Sequence, residues 1–82
     1  MSAFFKLNCE QSRCLGAVFP VKYIRNLATA LGTQCFGLES PGDVYLEAPA
    51  SPAERSQVEQ LLREGRMAWA YASVVPAELR AA

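Results

Sequence analysis

Met67-Ala68-Trp69-Ala70-Tyr71-Ala72 alternates large and small side chains with a strict period of two. Successive side chains of a strand point to opposite sides of a sheet, so this stretch reads as a strand with Met67, Trp69 and Tyr71 on one face and alanines on the other. The fold turns on which of those faces meets the helices. In one placement the alanines let a helix approach closely, and Trp69 and Tyr71 lie on an open sheet face. In the other, one residue of register away, the aromatics fill the core and the alanines face water.

The segment before this strand opens with Ser51-Pro52-Ala53-Glu54, a capping box with proline at the first helical position. The helix that follows buries Val58, Leu61 and Leu62, pairs Glu59 with Arg63 four residues on, and stops at Gly65. The strand after it runs from Met67 to Val75, where Pro76 ends it. The same unit occurs earlier. Ala3 to Cys9 reads as a first strand, and a connector over Glu10 to Phe19 leads to Pro20. Val21, Ile24, Leu27, Ala28 and Leu31 then mark one face of an amphipathic helix ended by Gly32. A strand over Gln34 to Glu39, the turn Ser40-Pro41-Gly42-Asp43 and a strand over Val44 to Glu47 complete the series.

The order is β-α-β-β-α-β. It predicts an α+β ferredoxin-like sandwich, a four-stranded antiparallel sheet with two helices on one face. The chain is a single domain over residues 1–82, with 76–82 a loose tail or one short helical turn. In the open-face placement Phe4, Lys6, Asn8, Tyr45, Glu47, Met67, Trp69 and Tyr71 share the uncovered side. Of these, Phe4, Tyr45, Met67, Trp69 and Tyr71 are the candidate protein-binding residues, since exposed aromatic patches mark interaction sites.

Eight basic and eight acidic residues cancel, and the 82-residue chain has no histidine. Zero net charge argues against a dedicated nucleic-acid binder. Modules that stack bases share the expected topology, but Val44-Tyr45-Leu46-Glu47 lacks the basic, glycine-containing signature of an RNA-binding strand. The missing histidine removes Ser/His/Asp and Cys/His catalysis and histidine metal ligation, so no catalytic residue, metal site or cofactor is assigned. Cys9, Cys14 and Cys35 form neither a paired disulfide framework nor a Cys-x-x-Cys zinc motif, which suits a reducing, cytoplasmic setting. No apolar run approaches the length of a membrane span. Cys14 has two readings, a thiol activated by nearby basic residues or a small apolar filler.

The first 36 residues hold four basic residues against one acidic, and the remainder four against seven. Arg13, Gly16, Lys22 and Arg25 therefore form a candidate anion site at a helix start, where backbone N–H groups and the helix dipole favour negative charge. This stretch, Arg13-Cys14-Leu15-Gly16-Ala17-Val18-Phe19-Pro20, resembles the phosphate cradle of acylphosphatases, approximately Gly-x-Val-x-Gly-Val-x-Phe-Arg. The element order, the Pro41-Gly42 hairpin and the second helix fit the same family over most of the chain. The resemblance implies that fold, with acyl-phosphate hydrolysis where an arginine follows the Phe and an asparagine closes the second strand. Here Pro20 follows Phe19, and the strand reads Phe36-Gly37-Leu38-Glu39-Ser40. Regulatory domains of the ACT type share the element order, but their Asp-x-x-Gly ligand loop is not visible.

The function expected from these readings is a non-catalytic protein-binding module. It would act as an inhibitor, adaptor or regulator of a larger complex, of the kind that phages and mobile elements encode, with a protein partner or a second copy on the aromatic face. The alternative is an acylphosphatase-like hydrolase, or a small anion- or ligand-binding regulatory domain using the Gly16 loop.

Overall fold

The computed structural model describes residues 3–14, 16, 21–37 and 43–80. Their elements are β1 (Phe4–Asn8), α1 (Cys9–Cys14), α2 (Val21–Leu31), β2 (Cys35–Phe36), β3 (Asp43–Glu47), α3 (Pro52–Glu64), β4 (Ala68–Ala72) and α4 (Ala77–Arg80). The strands form one antiparallel sheet in the order β2-β3-β1-β4. The molecule is thus α+β, with β1 in the middle although it comes first in the chain. No described helix is long and apolar enough to cross a membrane.

Register decides the faces. Phe5 stands opposite Leu46 on β3 and Tyr71 on β4, and Leu7 stands opposite Val44 and Trp69. Directly opposed residues of antiparallel strands share a face, so Phe5, Leu7, Val44, Leu46, Trp69 and Tyr71 all point the same way. That way is toward the helices. Ile24 and Ala28 of α2 and Val58 and Leu62 of α3 join Phe5, Leu7, Val44, Leu46 and Met67 in one buried core, with Trp69 packed against it. The open-face placement of Met67, Trp69 and Tyr71 is therefore corrected: the alternative register is the one adopted. Met67 precedes the strand and is buried.

The opposite face carries Phe4, Lys6, Asn8, Tyr45 and the three alanines of β4. It is not bare. Phe4, Tyr45 and Val75 form a second buried cluster, backed by Phe36, Ala72 and Leu79. The segment after β4 folds across this face, and the short helix α4 supplies Leu79. A tail becomes a cover.

The helix signals that rest on capping are realised. The Ser51 hydroxyl accepts from the Glu54 amide at 3.4 Å, and Pro52 opens α3. Helix α2 closes with the Thr33 amide donating to the Ala28 carbonyl at 2.9 Å and with Gly32 at φ +70°. Helix α3 closes the same way, the Met67 amide donating to the Leu62 carbonyl at 2.9 Å. There the left-handed residue is Arg66, at φ +57°, and Gly65 has φ −81°. The positive-φ position thus falls one residue past the expected glycine, on a side chain that strains to hold it.

The connector after β1 begins as helix α1. Asn8 caps it, its side-chain oxygen accepting from the Gln11 amide at 2.7 Å. Ser12, buried, then ties α1 to β4: its hydroxyl donates to the Asn8 carbonyl at 2.6 Å and accepts from the Ala68 amide at 2.9 Å. Asn8 and Ala68 are register partners, so the hydroxyl forms an extra rung of the ladder between them. At the far edge β2 has two residues and is followed by Gly37 at φ +120°. A Cβ on Gly37 would come within 2.5 Å of the Asp43 carbonyl oxygen, so this close approach of β2 to β3 needs glycine. The turn expected at Ser40 to Asp43 lies, apart from Asp43, outside the described residues.

Candidate functional site

The five candidate interface residues separate into two groups. Phe4 and Tyr45 are buried under Val75 on the face without the long helices, with Phe36 meeting Phe4 edge-on at a centroid distance of 6.3 Å. Both rings are already covered by the chain itself. Trp69 and Tyr71 lie on the other face, in a three-ring cluster with Phe5. Phe5 to Trp69 is 5.4 Å at 69°, Phe5 to Tyr71 is 4.9 Å at 36°, and Trp69 to Tyr71 is 5.4 Å at 88°. Such edge-on and tilted contacts suit the ring quadrupoles.

Within that cluster exposure rises steeply along the strand. Met67 is buried, Trp69 is half-buried, and Tyr71 is 47% exposed. Tyr71 is therefore an aromatic anchor held rigid on its inner side and open on its outer side. Glu59 of α3 lies near enough to act on its hydroxyl. Partial loss of hydration, together with the charge and hydrogen bond of Glu59, raises the phenol above its ordinary value, while Arg55 opposes the shift. Arg55 itself donates to the Pro49 and Ala50 carbonyls, each at 3.3 Å, which fixes the start of α3. Glu59, read in sequence as one half of an exposed helix pair, thus also acts on the Tyr71 phenol.

The surroundings of Tyr71 are apolar and uncharged along the chain. From Met67 to Ala77 no residue carries charge. Ala70 is exposed, and Val74 is 68% exposed. Among the described residues, strand β4 forms an outer edge of the sheet and is register-paired on one side only, to β1. The site is consequently an edge as much as a face, a row of backbone groups flanked by two aromatic side chains. Sequence alternation locates the aromatics, but the edge position appears only once the strand order is known.

The candidate anion residues are less concerted. Arg13 is exposed near the end of α1, and its carbonyl accepts from the Gly16 amide at 3.0 Å. Arg25 donates to the Gly37 carbonyl at 3.3 Å, which commits its guanidinium to the end of β2. Lys22 lies on α2, but its side chain, like the loop Ala17 to Pro20 and Leu15, falls outside the described residues. Sequence reasoning missed Arg66. Its Nη1 would lie 3.7 Å from a Cβ at Gly16, which brings a further cation to the loop. Nothing in the spacing relates positions 16 and 66; the contact follows from α1 lying against β4.

Among the thiols, Cys14 is exposed at the end of α1 and is no core filler. Cys9 and Cys35 are half-buried against the main core. Burial pushes the Cys35 thiol up, partly offset by Arg25 and reinforced by Cys9.

Two clefts lie among the described residues. One, of about 590 Å³, lies where the end of α2 meets the start of α3 and is lined by Thr33, Glu47, Glu54 and Arg55 among others. The other, of about 200 Å³, lies beside β4 and is lined by Lys6, Asn8, Gln11, Ala68, Trp69 and Ala70. No family model matches the chain, and no curated protein or solved structure is significantly similar to it.

Proposed function

We propose that this chain is a non-catalytic protein-binding module of ferredoxin-like architecture, working in the cytoplasm as an inhibitor, adaptor or regulator of a larger protein assembly. The strand order β2-β3-β1-β4 supports the architectural part: read from the β4 edge it is 4-1-3-2, with α2 and α3 packed on one face. The observation that carries the functional part is Tyr71, an exposed aromatic braced by Phe5, Trp69 and Glu59 on an uncharged strand at the sheet edge. Rigid, half-exposed aromatics supply contact area at small entropic cost and are enriched among binding hot spots. The interface is thus the β4 side of the molecule; the Phe4 and Tyr45 rings serve to hold the C-terminal cover.

The test is affinity capture with tagged wild type against Tyr71→Ala, from an extract of the organism that encodes the chain. Tyr71 is half-exposed, so the variant folds, and a partner held by wild type is held at least tenfold more weakly by the variant. Absence of any retained macromolecule, a second copy included, overturns the reading.

One observation favours a second reading. Arg66 beside Gly16, with Arg13 on the same connector, supports an anion site of the kind the acylphosphatase resemblance implies. Turnover of a generic acyl phosphate that Arg13→Ala abolishes would establish it.

A further inference from the structure

We propose that the chain pairs with a second copy of itself through the free edge of β4, in an antiparallel register centred on Ala70. This rests on the reading of the β4 side as a protein interface and names the partner. The first step is the direction of the backbone groups. Ser12 bridges the Asn8 carbonyl and the Ala68 amide, so the Ala68 N–H points toward β1. Backbone groups alternate in direction along an antiparallel strand, so those of Ala70 and Ala72 also point to β1. Those of Trp69 and Tyr71 point outward. Each copy therefore offers two N–H and two C=O groups on a register-regular edge, paired without interruption from Phe4–Ala72 to Asn8–Ala68 on its inner side.

Proteins normally blunt such an edge with charge, proline, a bulge or brevity. The opposite edge is blunted in this way, since β2 has only two residues. β4 has five, with no charge and no proline in them and no break in register. Zero formal net charge sets no long-range repulsion between copies.

The occupant follows from the sequence of the strand. Ala68-Trp69-Ala70-Tyr71-Ala72 keeps its order of small and large side chains when reversed about Ala70. A two-fold axis through Ala70 sets Trp69 opposite the partner's Tyr71, Tyr71 opposite the partner's Trp69, and the outer alanines opposite each other. All four outward backbone groups of each copy are then paired, because Trp69 and Tyr71 become the hydrogen-bonded positions. Ala70 meets its own copy at the non-hydrogen-bonded position, where Cα atoms come within about 4.5 Å and small side chains fit best. The aromatic pairs fall on the helix side, extending the cluster already formed with Phe5. An interface of this kind is isologous and closes on itself.

Solution mass over a concentration series from about 1 μM to 1 mM reads the outcome. Wild type moves from monomer to dimer. Ala70→Glu places two carboxylates together at the axis, while in each copy the exposed position 70 stands beside Lys6, its register partner, whose ammonium lies 3.6 Å from Asp43 and is shared with the new carboxylate; the fold is retained and the dimer dissociates at least tenfold more readily. Ala70→Cys, mildly oxidised, gives a 70-to-70 cross-link by peptide mass mapping. A wild type that stays monomeric to 1 mM overturns the proposal, as does a dimer indifferent to Ala70→Glu. If Ala70→Glu fails to fold, the cross-link decides alone. A monomer that still captures a foreign protein through Tyr71 overturns this pairing and leaves the interface reading standing.

Discussion

Phe4 and Phe5 are neighbours in the chain, both buried, and they rest on opposite sides of the sheet under very different cover. Phe5 lies beneath a layer built from two long helices, in a core that includes Leu7, Val44, Leu46, Ile24 and Leu62. Phe4 lies beneath Val75 and Leu79, side chains of a short segment with a four-residue helix. Cover of the first kind is cooperative, since removing one contact leaves a cavity between elements that cannot close. Cover of the second kind is a strap, a single short segment laid over the sheet. Equal burial therefore need not mean equal contribution to stability.

The largest expected effect separates the two rings. Phe5→Ala should destabilise the protein by about 3–5 kcal/mol in denaturant unfolding, and Phe4→Ala by clearly less, because the strap can settle into the space. Equal losses would show that the C-terminal segment is as firmly packed as the helices.

A smaller effect tests what keeps the faces apart. The Ser12 hydroxyl pins Ala68 to Asn8, and a slip of one residue would turn Trp69 and Tyr71 to the wrong side. Ser12→Ala leaves the Ala68 amide without its partner, at a cost of about 1–3 kcal/mol. Hydrogen exchange should accelerate first at Ala68, and unchanged exchange there would remove Ser12 from this role.

The smallest effect is on pH dependence, and it belongs to the helix face. Cys35 and Tyr71 both titrate above their ordinary values of 9.0 and 10.0, so the folded state favours their protonated forms. Their contribution is complete below those ordinary values and is lost as pH rises through the raised ones. The thermal midpoint should hold near neutrality and fall above about pH 9, and Tyr71→Phe should remove the upper part of that fall. A midpoint that rises with alkali would contradict the assignment.

Much of this was legible in residues with local mechanisms. Ser51 and Pro52 announced α3, Gly32 closed α2, and the alternation of β4 appeared as read. Period two, however, distinguishes faces without saying which one is inner. The placement with Trp69 outward assumed that alanines were needed for a helix to pack on β4. The core instead uses Trp69, because β4 lies at the margin of the sheet, where a long side chain reaches back over Phe5. Helix α1 escaped notice because Cys-Glu-Gln-Ser-Arg-Cys has no apolar period; its signal was Asn8 as a cap. Arg66 took the left-handed position with no local reason to do so, since Gly65 stood beside it.

The central place of β1 also has a kinetic consequence. Its two neighbours are β3 and β4, so the earliest of the four described strands waits for the strand made near residue 70 before its second side is paired. Contacts that span nearly the whole sequence carry a large loop-closure entropy, which places folding of such sheets toward milliseconds or slower. On the ribosome, Phe4 through Asn8 would emerge long before Ala68 through Ala72, leaving one side of β1 open to any strand that arrives earlier. During synthesis the exposed edge is β1, and β4 becomes the edge only when it docks.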